Sequence, residues 1–428
     1  MTRQIFSAVF LASLALATMN GATAAEPPTE WIDADTGHRV VRLSREAGST
    51  SLYFHQNSFT PEGDKLIFAG PKGLMVLDLK TRETKVAVPG FVYRVRSATG
   101  VEVGHRTRHA YYEKDGAVWA THLDTLVTRQ LAKLPPSTFL SAINADETLA
   151  AGLFYEGDRP AGTPGWPEPG AVIRGPDGRE LTFAEQREVL INERLEKRLP
   201  MGLFTVDLRD GKVTKFHRTT DWLGHVQFSP TDPGLIMFCN EGNWHKVDRL
   251  WTIRTDGSGL TKLHTRTMNM EIAGHEFFAP DGRAMWYDLQ LPRGEDFWLA
   301  GYEFATAKRT WYHLDRNFWS VHFTVSRDGT LFAGDGGDSE MVAHAPDGKW
   351  IYLFRPERIP DVAGIKNPNA GNLIDPGVLR AERLVNLAKH DYQLEPNIHF
   401  TPDQKWLVFR SNLHGEVHTY AVEIAKAQ

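Results

Sequence analysis

Short apolar or alternating runs recur along the chain, among them Leu66-Ile67-Phe68, Leu74 to Leu79, Leu203 to Leu208, Leu250 to Ile253 and Trp406 to Phe409. Each is bounded by turn-forming residues, and runs of this length and period predict strands that bury at least one face. A phrase precedes many of them: an aromatic, a small residue, then proline with acidic residues or glycine. It reads Phe59-Thr60-Pro61-Glu62-Gly63, Phe228-Ser229-Pro230-Thr231-Asp232, Phe278-Ala279-Pro280-Asp281-Gly282 and Phe400-Thr401-Pro402-Asp403. Val325-Ser326-Arg327-Asp328-Gly329 and Ile143-Asn144-Ala145-Asp146-Glu147 are degenerate copies. Proline presets the first central dihedral of a β-turn, and Asp and Gly supply the rest, so each copy predicts a turn feeding a strand. A weaker unit fits between Gly90 and Leu131, with a hairpin at Lys114-Asp115-Gly116, and brings the total to seven.

Seven units of three or four strands, repeating at roughly 40 to 50 residues, predict an all-β, seven-bladed propeller. The last unit supplies about three strands, the final one at Val417 to Ile424. The early strand His38 to Leu43 is then expected to complete that blade and close the ring, which removes the exposed edges. A solenoid would leave these strands unexplained. Two stretches break the rhythm. Asp158 to Gly170 reads as a Pro/Gly-rich loop, and Thr182 with Glu185 forms a capping-box pattern ahead of a helix over Phe183 to Leu199. This insertion, about 158–200, is expected to wall a cleft on one face of the ring. The second stretch, Pro356 to His390, is expected to be a loop with a short helix.

Composition narrows the function. The 428 residues are 41% hydrophobic and 24% charged, which excludes wholesale disorder and a multi-span membrane protein. A net charge of −5 gives no basic field for generic nucleic-acid binding. The one cysteine, Cys239, excludes an internal disulfide and a four-cysteine metal site. Arg3, the apolar stretch Ile5 to Met19 and Ala22-Thr23-Ala24 form the pattern of a secretory signal peptide. The expectation is a signal over 1–25, a single propeller domain over 26–428, and a periplasmic or secreted protein with no membrane span after cleavage.

The innermost strand of each blade runs into the recurring turn, so equivalent positions ring the axis. Three residues before the turn aromatic stand Gln56, Leu140, His225, His275, His322 and Asn397. Glu395 shares the strand face of Asn397 by its even spacing. Any one histidine here is commonly a liner of a wet channel. Three in consecutive blades, with a carboxylate and two amides, point to a functional site. His, Glu and Asn together suit a hard or borderline divalent ion such as Mn²⁺, Ca²⁺ or Mg²⁺, and zinc is compatible. No nucleotide loop, HExxH or GxSxG element is present. Gly334-Asp335-Gly336-Gly337-Asp338 is expected to be a tight strand-end turn.

Several of these segments carry a resemblance. Asp221-Trp222-Leu223-Gly224-His225, Cys239 to Gly242 through Val247-Asp248-Arg249-Leu250-Trp251, and His275-Glu276-Phe277 resemble the oligogalacturonate lyases, the seven-bladed propellers of polysaccharide lyase family 22. Asp33-Ala34-Asp35-Thr36-Gly37, Val41-Arg42-Leu43 and Gly334-Asp335-Gly336 also match; the similarity covers about 30–90 and 200–428. The resemblance implies β-elimination on uronate-containing chains with a histidine base, an arginine and a divalent metal, often manganese. Carried over by motif, His275 is the base, Arg249 the arginine near the reacting sugar and His322 a metal ligand, with Gln56 and His225 expected to contact substrate. The family's other ligands lie in a Gln-x-x-His-x-His pattern; here the stretch reads Tyr392-Gln393-Leu394-Glu395-Pro396-Asn397. Glu395 and Asn397 take the two histidine positions. Tyr392 aligns with the glutamine and Gln393 stands one step away, so Glu395, Asn397 and Gln393 complete the expected ligand set.

The chemistry agrees with the resemblance. Eliminating a 4-linked uronate removes the proton on C5 beside an ionised carboxylate, and a cation there stabilises the enolate-like transition state. The leaving oxygen takes its proton from water, Tyr392 or another histidine. The alternative is a non-catalytic periplasmic propeller that binds a carbohydrate or protein partner. A hydrolase is the weaker third choice, because hydrolysis normally uses paired carboxylates.

Overall fold

A computed structural model describes residues 26–93, 100–157, 172–339, 341, 343, 345–360 and 369–427. The expected signal peptide, the loop expected over 158–170 and part of the second insertion (361–368) lie outside the described residues.

The predicted strands form seven antiparallel blades around an axis. Blade 1 contains Lys65–Gly70, Gly73–Asp78 and Thr84–Pro89, with Thr50 and Phe59 bridged to its inner edge. Blade 2 runs from Val101–Val103 outward to Thr128–Lys133, and blade 3 from Thr138–Ile143 to Val213–Thr219. Blade 4 begins with Trp222–Phe228 and blade 5 with Ile272–Phe278. Blade 6 begins with Phe323–Val325 and blade 7 with His399–Phe400.

The expected closure is present. His38–Arg42 pairs antiparallel with His418–Lys426, and Glu30–Ile32 adds beyond it, so blade 7 joins the earliest and latest strands. Asp33 and Thr36 extend the latch to blade 6 through the Asn386 N–H at 2.9 Å and the Leu384 carbonyl at 2.8 Å.

The core lies between blades rather than at the axis. An apolar cluster fills each junction: Leu52, Ile67 and Tyr112 between blades 1 and 2, Ile236, Phe238 and Leu203 between blades 3 and 4, and Phe323, Tyr352 and Phe297 between blades 5 and 6. Both faces of the middle strands are therefore covered, which is why many runs are continuously apolar instead of strictly alternating. The packing leaves the axial positions free to be polar.

Both insertions depart from the repeat. The helix spans Phe183–Glu196 with its capping box formed: the Thr182 side chain accepts from the Glu185 N–H, and Glu185 accepts from the Thr182 N–H. Ile191 and Leu195 are buried under it. The expectation for Pro356 to His390 is corrected. Trp350–Arg358 and Asp375–Asn386 form one long antiparallel hairpin, whose only described helical piece is a single turn at Ala370–Asn372. Pro356 fits because Phe332–Gly334 pairs only with Tyr352 to Phe354, leaving Pro356 beyond the partner strand. Diagonal pairs Arg355–Glu382 and Arg380–Glu357 hold the polar stretch extended. The end of this hairpin pairs in parallel with Arg309–His313, fusing blades 5 and 6 into an eight-stranded sheet. Among the described residues no helix is long and apolar enough to cross a membrane.

Candidate active site

The axial histidines sit on bulges. The inner strand of blade 4 loses its register between Gly224 and Gln227, and that of blade 5 between Gly274 and Phe277. His225 and His275 are the displaced residues, with φ of 47° and 43°, and Asn397 has φ of 52°. Left-handed backbone costs an L-residue about 1 kcal/mol or more, and such strain gathers at working sites. The glycine before each histidine permits the bulge. A Cβ on Gly224 would lie 2.7 Å from Glu241 Cγ, and one on Gly274 would lie 3.0 Å from Asp288 Oδ1.

His275 and His322 each meet an aspartate on the next strand outward. His275 Nδ1 lies 3.0 Å from Asp288 Oδ1. His322 Nδ1 lies 2.8 Å from Asp335 Oδ2, while Asp335 Oδ1 accepts the His322 backbone N–H at 2.8 Å. An ionised carboxylate at Nδ1 keeps the proton there and turns the Nε2 lone pair outward. His275 Nε2 has no protein hydrogen-bond partner among the described residues. The two imidazoles meet edge to face, with centroids 4.8 Å apart.

His322 is fully buried, and its Nε2 is an orphan facing Glu395 Oε2 at 3.8 Å. Burial disfavours a charged imidazole, yet Asp335 and Glu395 raise the His322 pKa, so the pocket favours positive charge at this point. The other expected ligands are placed differently. The Asn397 amide oxygen accepts the Phe54 N–H at 3.0 Å, and its amide nitrogen donates to the Glu395 carbonyl at 3.0 Å. Gln393 is exposed, in a turn capped by Asp391. Tyr392 is buried and donates to the Asp335 carbonyl at 2.8 Å, so its hydroxyl serves the site's scaffold.

Arg249 is also buried, with its side chain 3% exposed. Its Nε donates to Glu276 Oε2 at 2.9 Å and a terminal nitrogen to Glu241 Oε2 at 3.0 Å. The guanidinium thus faces two carboxylates rather than an open channel. Burial alone would push the Glu276 carboxyl up, but Arg249 and His225 hold it well below the usual range. His225 lies 3.1 Å from Glu276 and 3.4 Å from Glu241. His225, Cys239 and Glu241 could together offer donor atoms to a metal. Burial raises the Cys239 thiol pKa and Arg249 already balances Glu241, so a cation fits less well there than between His322 and Glu395.

Gln56 is buried and accepts from the Tyr53 N–H at 3.2 Å and from the Tyr93 hydroxyl, so it shapes the loop that carries Tyr53. Tyr53, His55, Asp288, Asp335 and Glu276 escaped the register argument. The aspartates left a trace: each follows its histidine by 13 residues. Tyr53 left none, because it lies on a loop outside the repeat. The helix covers the same end of the ring. Asn243 Nδ2 donates to the Glu188 carbonyl at 3.3 Å, and the Arg187 guanidinium lies 5.2 Å from the Trp244 ring centroid.

Comparison with known proteins agrees with this geometry. A sequence model described as oligogalacturonate lyase matches residues 195–428. An oligogalacturonide lyase of Pectobacterium atrosepticum is 26% identical over 415 residues, covering 92% of this chain and 95% of that protein. An oligogalacturonate lyase of Dickeya dadantii is 25% identical, with the same coverage of 92% and 95%. A solved oligogalacturonate lyase in complex with manganese superposes with a TM-score of 0.71 at 24% identity, over 93% of this chain and 96% of that one. The matched segment holds His225, Arg249, His275, His322 and Glu395, and spans more than half of the sequence. On that match, the chain belongs to the oligogalacturonate lyase family.

Proposed function

We propose that this protein cleaves oligogalacturonate, or a close uronate relative, by β-elimination, with His275 as the base. The observation that carries the proposal is the His275–Asp288 pair at 3.0 Å, set on a strained bulge with Nε2 free of partners among the described residues. Asp288 fixes the tautomer, so Nε2 accepts the C5 proton of the uronate. A base of imidazole strength suits that transfer near neutral pH. His225, 20% exposed in its side chain, lines the channel from the neighbouring blade and contacts the sugar. Arg249 acts as a positioning residue, holding Glu241 and Glu276 beside His225.

A divalent cation fits between His322 and Glu395. The support is a buried imidazole nitrogen without a partner, a facing carboxylate and an aspartate behind the ring, a donor set of the hard-to-borderline class. The manganese complex of a protein with this fold favours Mn²⁺, and Ca²⁺ and Mg²⁺ share the donor preference. Bound there, the cation would supply charge that stabilises the enolate-like carboxylate of the reacting sugar. The apolar stretch Ile5 to Met19 supports export, which sequencing the first residue of the protein from a periplasmic fraction tests.

The decisive experiment is an ultraviolet time course on galacturonate oligomers, with Mn²⁺ and with chelator. Growth of unsaturated-uronate absorbance supports elimination, and its loss on chelation supports the cation. A folded protein that yields reducing ends without that absorbance is a hydrolase, and the proposal fails.

A further inference from the structure

Elimination needs a second proton transfer. As C5–H breaks and its electron pair forms the C4=C5 double bond, the C4–O4 bond breaks, and O4 must gain a proton to leave as an alcohol. Tyr392, His322 and His390 do not supply it. Tyr392 is buried with its hydroxyl on the Asp335 carbonyl. His322 Nε2 faces Glu395. His390 is bound at both nitrogens, to the Leu394 carbonyl and Ser411 Oγ.

Tyr53 is differently placed. Its loop enters the axis between the first strands and blade 1, and its N–H is held by the Tyr93 hydroxyl at 2.8 Å and by Gln56 Oε1 at 3.2 Å. Its ring meets His322 edge-on at 5.3 Å, His225 at 5.6 Å and His55 at 5.0 Å. His322 is therefore flanked by His275 and by Tyr53. The residue is half-buried, and its hydroxyl has no protein hydrogen-bond partner among the described residues. Two groups of charges act on it: Glu395 from blade 7, and Arg249 with Glu241 and Glu276 from blades 4 and 5. An ordinary phenol titrates near about 10, so a tyrosine hydroxyl carries its proton throughout the neutral range.

We infer that Tyr53 is the proton donor to the leaving O4, acting with His275 as a base–acid pair on either side of His322. The assignment rests on the proposed elimination. His275 Nε2 takes the C5 proton and the Tyr53 O–H gives its proton to O4; the imidazolium then releases its proton to water and the tyrosinate takes one up from water, which resets both groups with no net change in protons.

The test is Tyr53→Phe, which removes only the hydroxyl, assayed on two substrates: galacturonate oligomers, and a uronate bearing 4-nitrophenol at C4, a leaving group that needs no proton. The expected result is a fall in kcat of about 100-fold or more on the oligomer, the usual size of a general-acid contribution. KM should be little changed, and activity on the nitrophenyl substrate should be nearly wild-type. Equal losses on both substrates overturn the assignment and make the ring a positioning element. Wild-type turnover by the variant on the oligomer also overturns it. A wild-type enzyme silent on both substrates overturns the elimination itself and takes this role with it.

Discussion

His322 and Asp335 are joined twice, the backbone N–H to Oδ1 and the imidazole Nδ1 to Oδ2, both at 2.8 Å. The double bond locks ring position and tautomer together, so the orphan Nε2 faces Glu395 before any cation arrives. Asp335→Asn should keep one bond and spoil the other, because an amide nitrogen facing Nδ1 moves the proton to Nε2. Outer-shell partners of this kind are worth about 10- to 100-fold in metal affinity. Calorimetric titration with Mn²⁺ should show a loss of that size for Asp335→Asn, and a larger one for Glu395→Gln or His322→Ala.

Asp288 does for His275, the proposed base, what Asp335 does for His322, the proposed ligand. His275→Ala should reduce elimination to background while the protein stays folded, with a loss of stability limited to about 1–3 kcal/mol because Asp288 is buried and loses its partner. Asp288→Asn should retain substrate binding and lower kcat by about 100- to 10,000-fold. Absorbance assays over a range of substrate concentrations separate the two parameters.

Arg249 behaves as a keystone for stability. Arg249→Met leaves Glu276 buried beside Glu241 with only His225 facing it, and breaking a buried pair this way costs up to about 3–5 kcal/mol. Denaturant unfolding should show a loss of that order. The double variant Arg249→Met/Glu276→Gln should recover much of it, a coupling that a purely substrate-facing arginine would not produce.

His390 gives the protein an acid sensitivity seated behind the stretch that carries Glu395. Burial holds its pKa down at about 4, with both nitrogens engaged. An unfolded histidine titrates near about 6.5, so the unfolded chain takes up the proton first as pH falls. The contribution is complete above about 6.5 and is lost between there and about 4, amounting to at most on the order of 3 kcal/mol. Melting curves across that window should decline for the wild type and less steeply for His390→Gln.

Much of this architecture was legible because it repeats. The Pro-Asp-Gly turns, the aromatics before them and the in-register His225, His275 and His322 each recur, so a single misread copy is corrected by the others. The site's remaining members are singular. Tyr53 belongs to no strand, and Asp335 lies in a glycine-rich turn whose composition advertises backbone geometry more than chemistry. The long hairpin after Trp350 was hidden because opposed Arg and Glu residues, rather than apolar alternation, hold its outer part together. Arg249 was visible as a residue but not as a network, because Glu276 reaches it from the neighbouring blade.

The latch in blade 7 makes the completed ring a late event in synthesis. Arg39 meets Glu423 across 384 residues of chain, so His38–Arg42 leaves the ribosome long before its partner strand exists. Until His418–Lys426 emerges, blade 7 lacks its middle, and the stretch carrying Glu395 has only the neighbouring blade to lean on. Closing so large a loop is slow, because its entropy is lost before distant contacts repay it. A nascent chain therefore stays an open arc, catalytically idle, and gains activity in one step when its oldest and newest strands meet.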